Sequence, residues 1–147
     1  MENLPRGIRQ FLVRAKRATN HAKESLEDTA QHNVHYEEDD GWRYVNAFVG
    51  KQRLSGQETV WKDGQPVWAM NYLCRVTGEG FSSAFLCDAL AQMQPDAPYR
   101  GPIEYQQGPL LYCNMHGGDL GWFYGREEMF ASGVSVYECL YHGGAIE

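Results

Sequence analysis

No apolar run in this chain approaches the length that a bilayer-spanning helix needs, so no membrane partner is expected. Pro5 and Arg6 lead into an amphipathic pattern instead of an apolar leader segment, and the expected location is the cytoplasm. A surplus of positive charge is also missing. The formal net charge is −6, which argues against direct nucleic-acid binding of the kind that depends on displacing counterions. The four cysteines, Cys74, Cys87, Cys113 and Cys139, are widely spaced and form no C-x-x-C pair. No zinc site is expected, and the thiols are expected to be reduced and buried. There is no G-x-S-x-G, no P-loop and no dinucleotide fingerprint. No cofactor, metal or catalytic nucleophile is therefore expected. No internal repeat and no low-complexity segment is visible.

What the chain does have is length enough for one domain with a core, 147 residues, and a rich set of aromatics, with nine Tyr, six Phe and four Trp. Tyr and Trp join a large apolar face to a polar edge, which suits strands, cores and ligand pockets alike. Ile8, Phe11, Leu12, Ala15 and Ala18 recur at three- and four-residue spacing, and residues 4–23 are expected to form a helix. Its other face is basic, with Arg6, Arg9, Arg14, Lys16, Arg17 and Lys23, and reads as a solvated face. Residues 24–40 are acidic and aperiodic and read as a loop, a candidate lid.

From Trp42 the period changes to two. Strands are expected at 42–49, 57–62 and 66–76, with Asp63-Gly64 turning the second into the third. Phe81, Ala84, Phe85, Ala89 and Met93 mark a second helix over 79–94, ended by Pro95. Further strands are expected at 110–115, 120–124, 127–131 and 134–142, with His116-Gly117-Gly118-Asp119 as a turn. The sum is a single α+β domain over 1–147. Its sheet spans 42–147 with one inserted helix, and about six to seven antiparallel strands carry two helices on one face.

Some strand residues exceed what an ordinary core needs. Glu58 and Glu138 are carboxylates among apolar neighbours, and each requires a cation, a hydrogen bond or water. Arg75, Arg100 or a cationic ligand group are the candidate partners. Asn71 can donate and accept at once. Trp68, Tyr72, Trp122 and Tyr141 could stack on a flat ring. His142, before Gly143-Gly144, is a candidate contact or acid–base group, although Cys139 and His142 should point to opposite faces of their strand. The run His32, His35, Glu37, Glu38 is a weak metal pattern and is set aside.

Five phrases recur in one order: Phe11-Leu12-Val13-Arg14-Ala15-Lys16-Arg17-Ala18-Thr19, Gly56-Gln57-Glu58-Thr59-Val60-Trp61, Pro66-Val67-Trp68-Ala69-Met70-Asn71-Tyr72, Tyr99-Arg100-Gly101-Pro102, and Val136-Tyr137-Glu138-Cys139-Leu140-Tyr141-His142-Gly143-Gly144. Their spacing resembles the bacterial and phage family catalogued as domain of unknown function 5680, over roughly residues 8–146. Members of that family often follow a helix-turn-helix module, which implies an effector-sensing role. This chain resembles the stand-alone domain.

The expected function is non-catalytic sensing or sequestering of a small molecule, nucleotide-like or aromatic. Glu58, Trp68, Asn71, Tyr72, Arg100, Tyr141 and His142 are the expected contacts. A small acid–base hydrolase or lyase using Glu58 or His142 is one alternative, and a protein-interaction module another. A homodimer is compatible with all three.

Overall fold

The computed structural model of the chain describes residues 3–20 and 31–147. Helix α1 spans Ile8–Thr19 and is followed by β1 (Gln31–Glu37), β2 (Trp42–Gly50), β3 (Arg53–Lys62) and β4 (Gln65–Val76). Helix α2 (Ser83–Ala91) then precedes β5 (Glu104–Gln107), β6 (Leu110–Asp119), β7 (Trp122–Ala131) and β8 (Val134–Ala145). All strands join one antiparallel sheet in the order β1-β2-β3-β4-β8-β7-β6-β5. The chain is thus a single α+β domain with eight strands, where six to seven were expected.

The extra strands are the edges. β1 falls within the stretch read as an acidic loop, because its residues are mostly polar and hide the alternation. His32 is buried, while Val34 and Tyr36 are half-buried on the same side, and Tyr36 packs on Phe11 of α1. Residues 21–30, which hold the rest of the expected loop and the end of the expected first helix, lie outside the described residues. β5 has only four residues, too few for a pattern. Conversely, the strands expected at 120–124 and 127–131 are one continuous strand that begins at Trp122, and His116 to Asp119 extend β6, so that the turn falls at Leu120 and Gly121. The second helix is shorter than expected. It starts where the Ser82 hydroxyl accepts the amide of Phe85 at 3.1 Å, a regular N-cap.

Both helices lie over the same face of the sheet. Lys16 of α1 reaches Glu58 on β3. Phe85 of α2 stacks on Tyr105, which pairs with Tyr112 on that face. β4 alternates cleanly: Trp68, Met70, Tyr72 and Cys74 are buried beneath the helices, whereas Leu73 and Arg75 are exposed on the outer face.

The strand order conceals a duplication that the sequence reading missed. Each half is a helix followed by a four-strand meander, and the two meanders are joined in the sheet by the pairing of β4 with β8. Gly56, Glu58, Trp61, Asp63-Gly64, Trp68 and Tyr72 correspond without a gap to Gly125, Glu127, Phe130, Ser132-Gly133, Tyr137 and Tyr141. Both hairpins turn on two left-handed residues, Asp63 and Gly64 (φ 50° and 80°) and Ser132 and Gly133 (φ 49° and 81°). Both carry a register shift just before the turn, at Val60/Trp61 and at Met129/Phe130. Four of these seven pairs are identical, Gly56/Gly125, Glu58/Glu127, Gly64/Gly133 and Tyr72/Tyr141, but most residues between them differ. What recurs is the position of the turn, the close-approach glycine and the buried carboxylate, so composition alone does not reveal it.

Candidate functional site

Two buried carboxylates organise the helix-covered face. Glu58, on β3, is 3% exposed. It accepts the Tyr44 hydroxyl at 2.7 Å and pairs with the Lys16 ammonium at 2.9 Å. Lys16 thus leaves the solvated basic face expected for α1. Its ammonium also donates to the Tyr99 carbonyl at 2.5 Å and lies 5.7 Å from the centre of the Trp68 ring. Burial pushes the Lys16 pKa down, and the Glu58 carboxylate works against that shift.

Glu127, on β7, is fully buried. Arg100 grips it with two prongs, Nε to Oε2 at 3.1 Å and Nη2 to Oε1 at 2.5 Å. The hydroxyls of Tyr112 (2.5 Å) and Tyr137 (2.7 Å) donate to it as well. Burial alone would raise the Glu127 pKa. Arg100 and the two tyrosines outweigh burial and hold the carboxyl below the usual range. Burial opposes the charge on Arg100, but Glu127 prevails and the guanidinium remains charged.

A second pair of bonds repeats across the halves. Tyr72 donates to Asn46 at 2.6 Å, and Tyr141 donates to Asn114 at 2.6 Å. Each ring lies over a glycine, Gly56 under Tyr72 and Gly125 under Tyr141, where a Cβ would strike the ring. Burial raises both tyrosine pKa values.

The expected contact residues therefore divide into three groups. Glu58, Tyr72 and Arg100 share one region, and the Arg100 guanidinium lies 5.3 Å from the centre of the Tyr72 ring. Trp68 and Tyr141 are core residues; the Trp68 indole donates to the Leu120 carbonyl at 3.1 Å and stacks on Phe123. Asn71 and His142 face each other on the outer side, where Asn71 accepts a bond from Gln57 at 2.9 Å. They cannot share a pocket with Glu58. Glu138 is also on the outer side, held by Arg75 (2.5 Å) and Arg126 (2.9 Å). Lys16, Tyr44, Tyr112, Asn114 and Glu127 were missed. The signal for Glu127 was present: Gly125-Arg126-Glu127 repeats the spacing of Gly56-Gln57-Glu58.

Beside this network lies a cleft of about 1160 Å³ between β2–β4 and the segment that runs into α2. Phe48, Leu54, Tyr72, Cys74, Val76, Phe81, Leu86 and Tyr137 give it an apolar wall, and Lys51, Gln52, Glu79 and Ser83 are at its edges. A smaller cavity of about 60 Å³ adjoins Lys16, Tyr44, Asn46 and Glu58, room for one or two waters. Arg100 lines both.

Cys74 and Cys139 oppose each other across β4 and β8, with Cα atoms 4.0 Å apart, and are joined in a disulfide. That corrects the expectation of four reduced thiols; direct opposition in adjacent strands brings the two sulfurs together. A Glu127 oxygen lies within 4.8 Å of both sulfurs. The sulfurs are bonded to each other and Glu127 is committed to Arg100, so this trio offers a metal no vacant donor. His32 and His35 point to opposite faces of β1, one buried and one exposed, and do not converge.

The family described as Domain of unknown function (DUF5680) matches residues 46–146. The chain belongs to this family. The match runs from the middle of β2 to the end of β8 and takes in both carboxylates and Arg100. Comparison with curated proteins and with solved structures returns no match. Among the described residues, no helix is long and apolar enough to cross a membrane.

Proposed function

We propose that this domain binds a small molecule in the cleft between β2–β4 and α2, and senses or sequesters it without transforming it. The aromatic or nucleotide-like metabolite expected from the sequence would lie against Tyr72 and Arg100. The observation that carries the reading is the cleft itself, about 1160 Å³ with a mostly apolar wall and the buried Arg100 in its lining. Catalysis is disfavoured by the state of the candidate groups. Glu127 takes donors on both oxygens, Glu58 is paired with Lys16 and Tyr44 through Oε1, and His142 is exposed on the face opposite Glu58. An acid–base pair built from them has no common substrate position. Native mass spectrometry of freshly purified protein tests the reading. A co-purifying compound that is lost from a Leu54→Trp variant, which fills the cleft, supports it. A compound retained by that variant, or recovered as a reaction product, refutes it.

The outer face favours a second reading, a homodimer. Leu73 and Leu140 pair across β4 and β8, and Tyr124 (63% exposed) and Trp122 (80% exposed) continue the apolar surface along β7. Sedimentation velocity on the chain and on Trp122→Ser would show a dimer that the variant loses; a concentration-independent monomer would end this reading.

A further inference from the structure

Arg100 is 8% exposed, and among the described residues two of its three nitrogens have partners. Nε and Nη2 bind Glu127, and Nη2 also approaches the Tyr137 hydroxyl at 3.4 Å. Nη1 donates to no atom among the described residues, although Arg100 lines the cleft. A guanidinium edge in such a place needs water or a ligand acceptor.

The buried charges beside Arg100 are already matched, while Lys51 and Glu79 lie apart at the cleft's edges. Glu127 neutralises Arg100 and Glu58 neutralises Lys16. An anion at Nη1 would bring an unmatched charge to a buried site within reach of the Glu127 carboxylate, and a cation would face the guanidinium itself. A phosphate would also need several free donors, where Arg100 has one free nitrogen. The wall has the opposite need. Phe48, Leu54, Phe81 and Leu86 are half-buried apolar side chains that lose water only when something covers them.

Resting on the cleft reading, we infer that the ligand is an uncharged, ring-bearing molecule whose single carbonyl-type acceptor takes the Arg100 Nη1–H, with its rings against Phe48, Leu54 and Tyr72. This selects the aromatic class over the nucleotide-like one. The volume has room for fused rings or for a ring with an aliphatic extension.

Three probes of one shape test it by calorimetry on the full chain: methyl naphthyl ketone, ethylnaphthalene and naphthoate. The ketone is expected to bind about tenfold or more tighter than either of the others, the value of one hydrogen bond to a charged donor. Arg100→Lys keeps a cation for Glu127 but removes Nη1, and should erase the preference. If that variant does not fold, the ranking of the three probes on the unaltered chain decides. Leu54→Trp should abolish binding of all three. Naphthoate binding tightest, ethylnaphthalene matching the ketone, or no ketone binding at all would overturn the inference. Where probes bind in the wrong order but Leu54→Trp still blocks them, the cleft reading stands and only the ligand class falls. Binding unaffected by Leu54→Trp overturns both.

Discussion

In the first half of the sheet, Glu58 takes one tyrosine hydroxyl and one ammonium. In the second, Glu127 takes two tyrosine hydroxyls and both prongs of a guanidinium. The surroundings differ in the same sense. Phe123, two residues before Gly125, is covered by Tyr99, whose ring stacks on it at 4.0 Å. Leu54, two residues before Gly56, lines the cleft. His116 meets the edge of Tyr99, whereas Phe48, in the matching place on β2, lines the cleft too. One framework is therefore closed in the second half and open in the first. The closed half supplies rigidity and aims Arg100; the open half supplies the space.

The comparison breaks most decisively at the carboxylates. Glu127→Ala leaves a buried guanidinium and two buried hydroxyls without their acceptor, and should cost about 3–5 kcal/mol. Glu58→Ala strands an ammonium that is closer to solvent, with 11% of its side chain accessible, and should cost about 1–3 kcal/mol. Urea denaturation of both variants measures the difference; equal losses would mean that the halves are equally committed. The glycines come next. Gly125→Ala drives a Cβ into Tyr141, which is enclosed and bonded to Asn114, for a loss of roughly 2–3 kcal/mol. Gly56→Ala meets Tyr72, which borders the cleft and can move into it, for roughly 1 kcal/mol. Thermal denaturation ranks the two, and a larger loss at Gly56 would contradict an open first half.

Alkaline titration gives the finest distinction. Tyr44 and Tyr72 in the first half, and Tyr112, Tyr137 and Tyr141 in the second, all have pKa values raised by burial. A raised value means that the folded state keeps the proton that the unfolded chain gives up. The stability linked to these groups is complete below the unfolded tyrosine value of about 10 and is lost as pH rises beyond it. Tyrosinate absorbance should therefore rise for these five residues in one cooperative step as the fold is lost. A two-step rise, with the first half ionising earlier, would show that the β4–β8 seam does not couple the halves.

Much of the fold was legible. The 3.6-residue stripe of α1, the two-residue alternation from Trp42 and the Asp63-Gly64 turn each predict what forms. The edge strands were not. β1 pairs with one neighbour only, so its polar residues give no continuous pattern, and β5 is too short to have one. At the site, Glu58 could be singled out because a carboxylate among apolar strand residues demands a partner. Its partner could not, because Lys16 looks like any other base on an amphipathic helix. Arg100 was named as a candidate partner, but it pairs with Glu127.

The sequence by itself determined the class of the protein, the turns and which residues alternate inward, because backbone propensity and hydrophobic period are local properties. Only the tertiary structure decided that Asn71 and His142 face away from Tyr72, that Cys74 meets Cys139, and that two distant meanders share a plan. Strand register and the order β4-β8 settle those, and both arise from contacts between segments far apart in the chain.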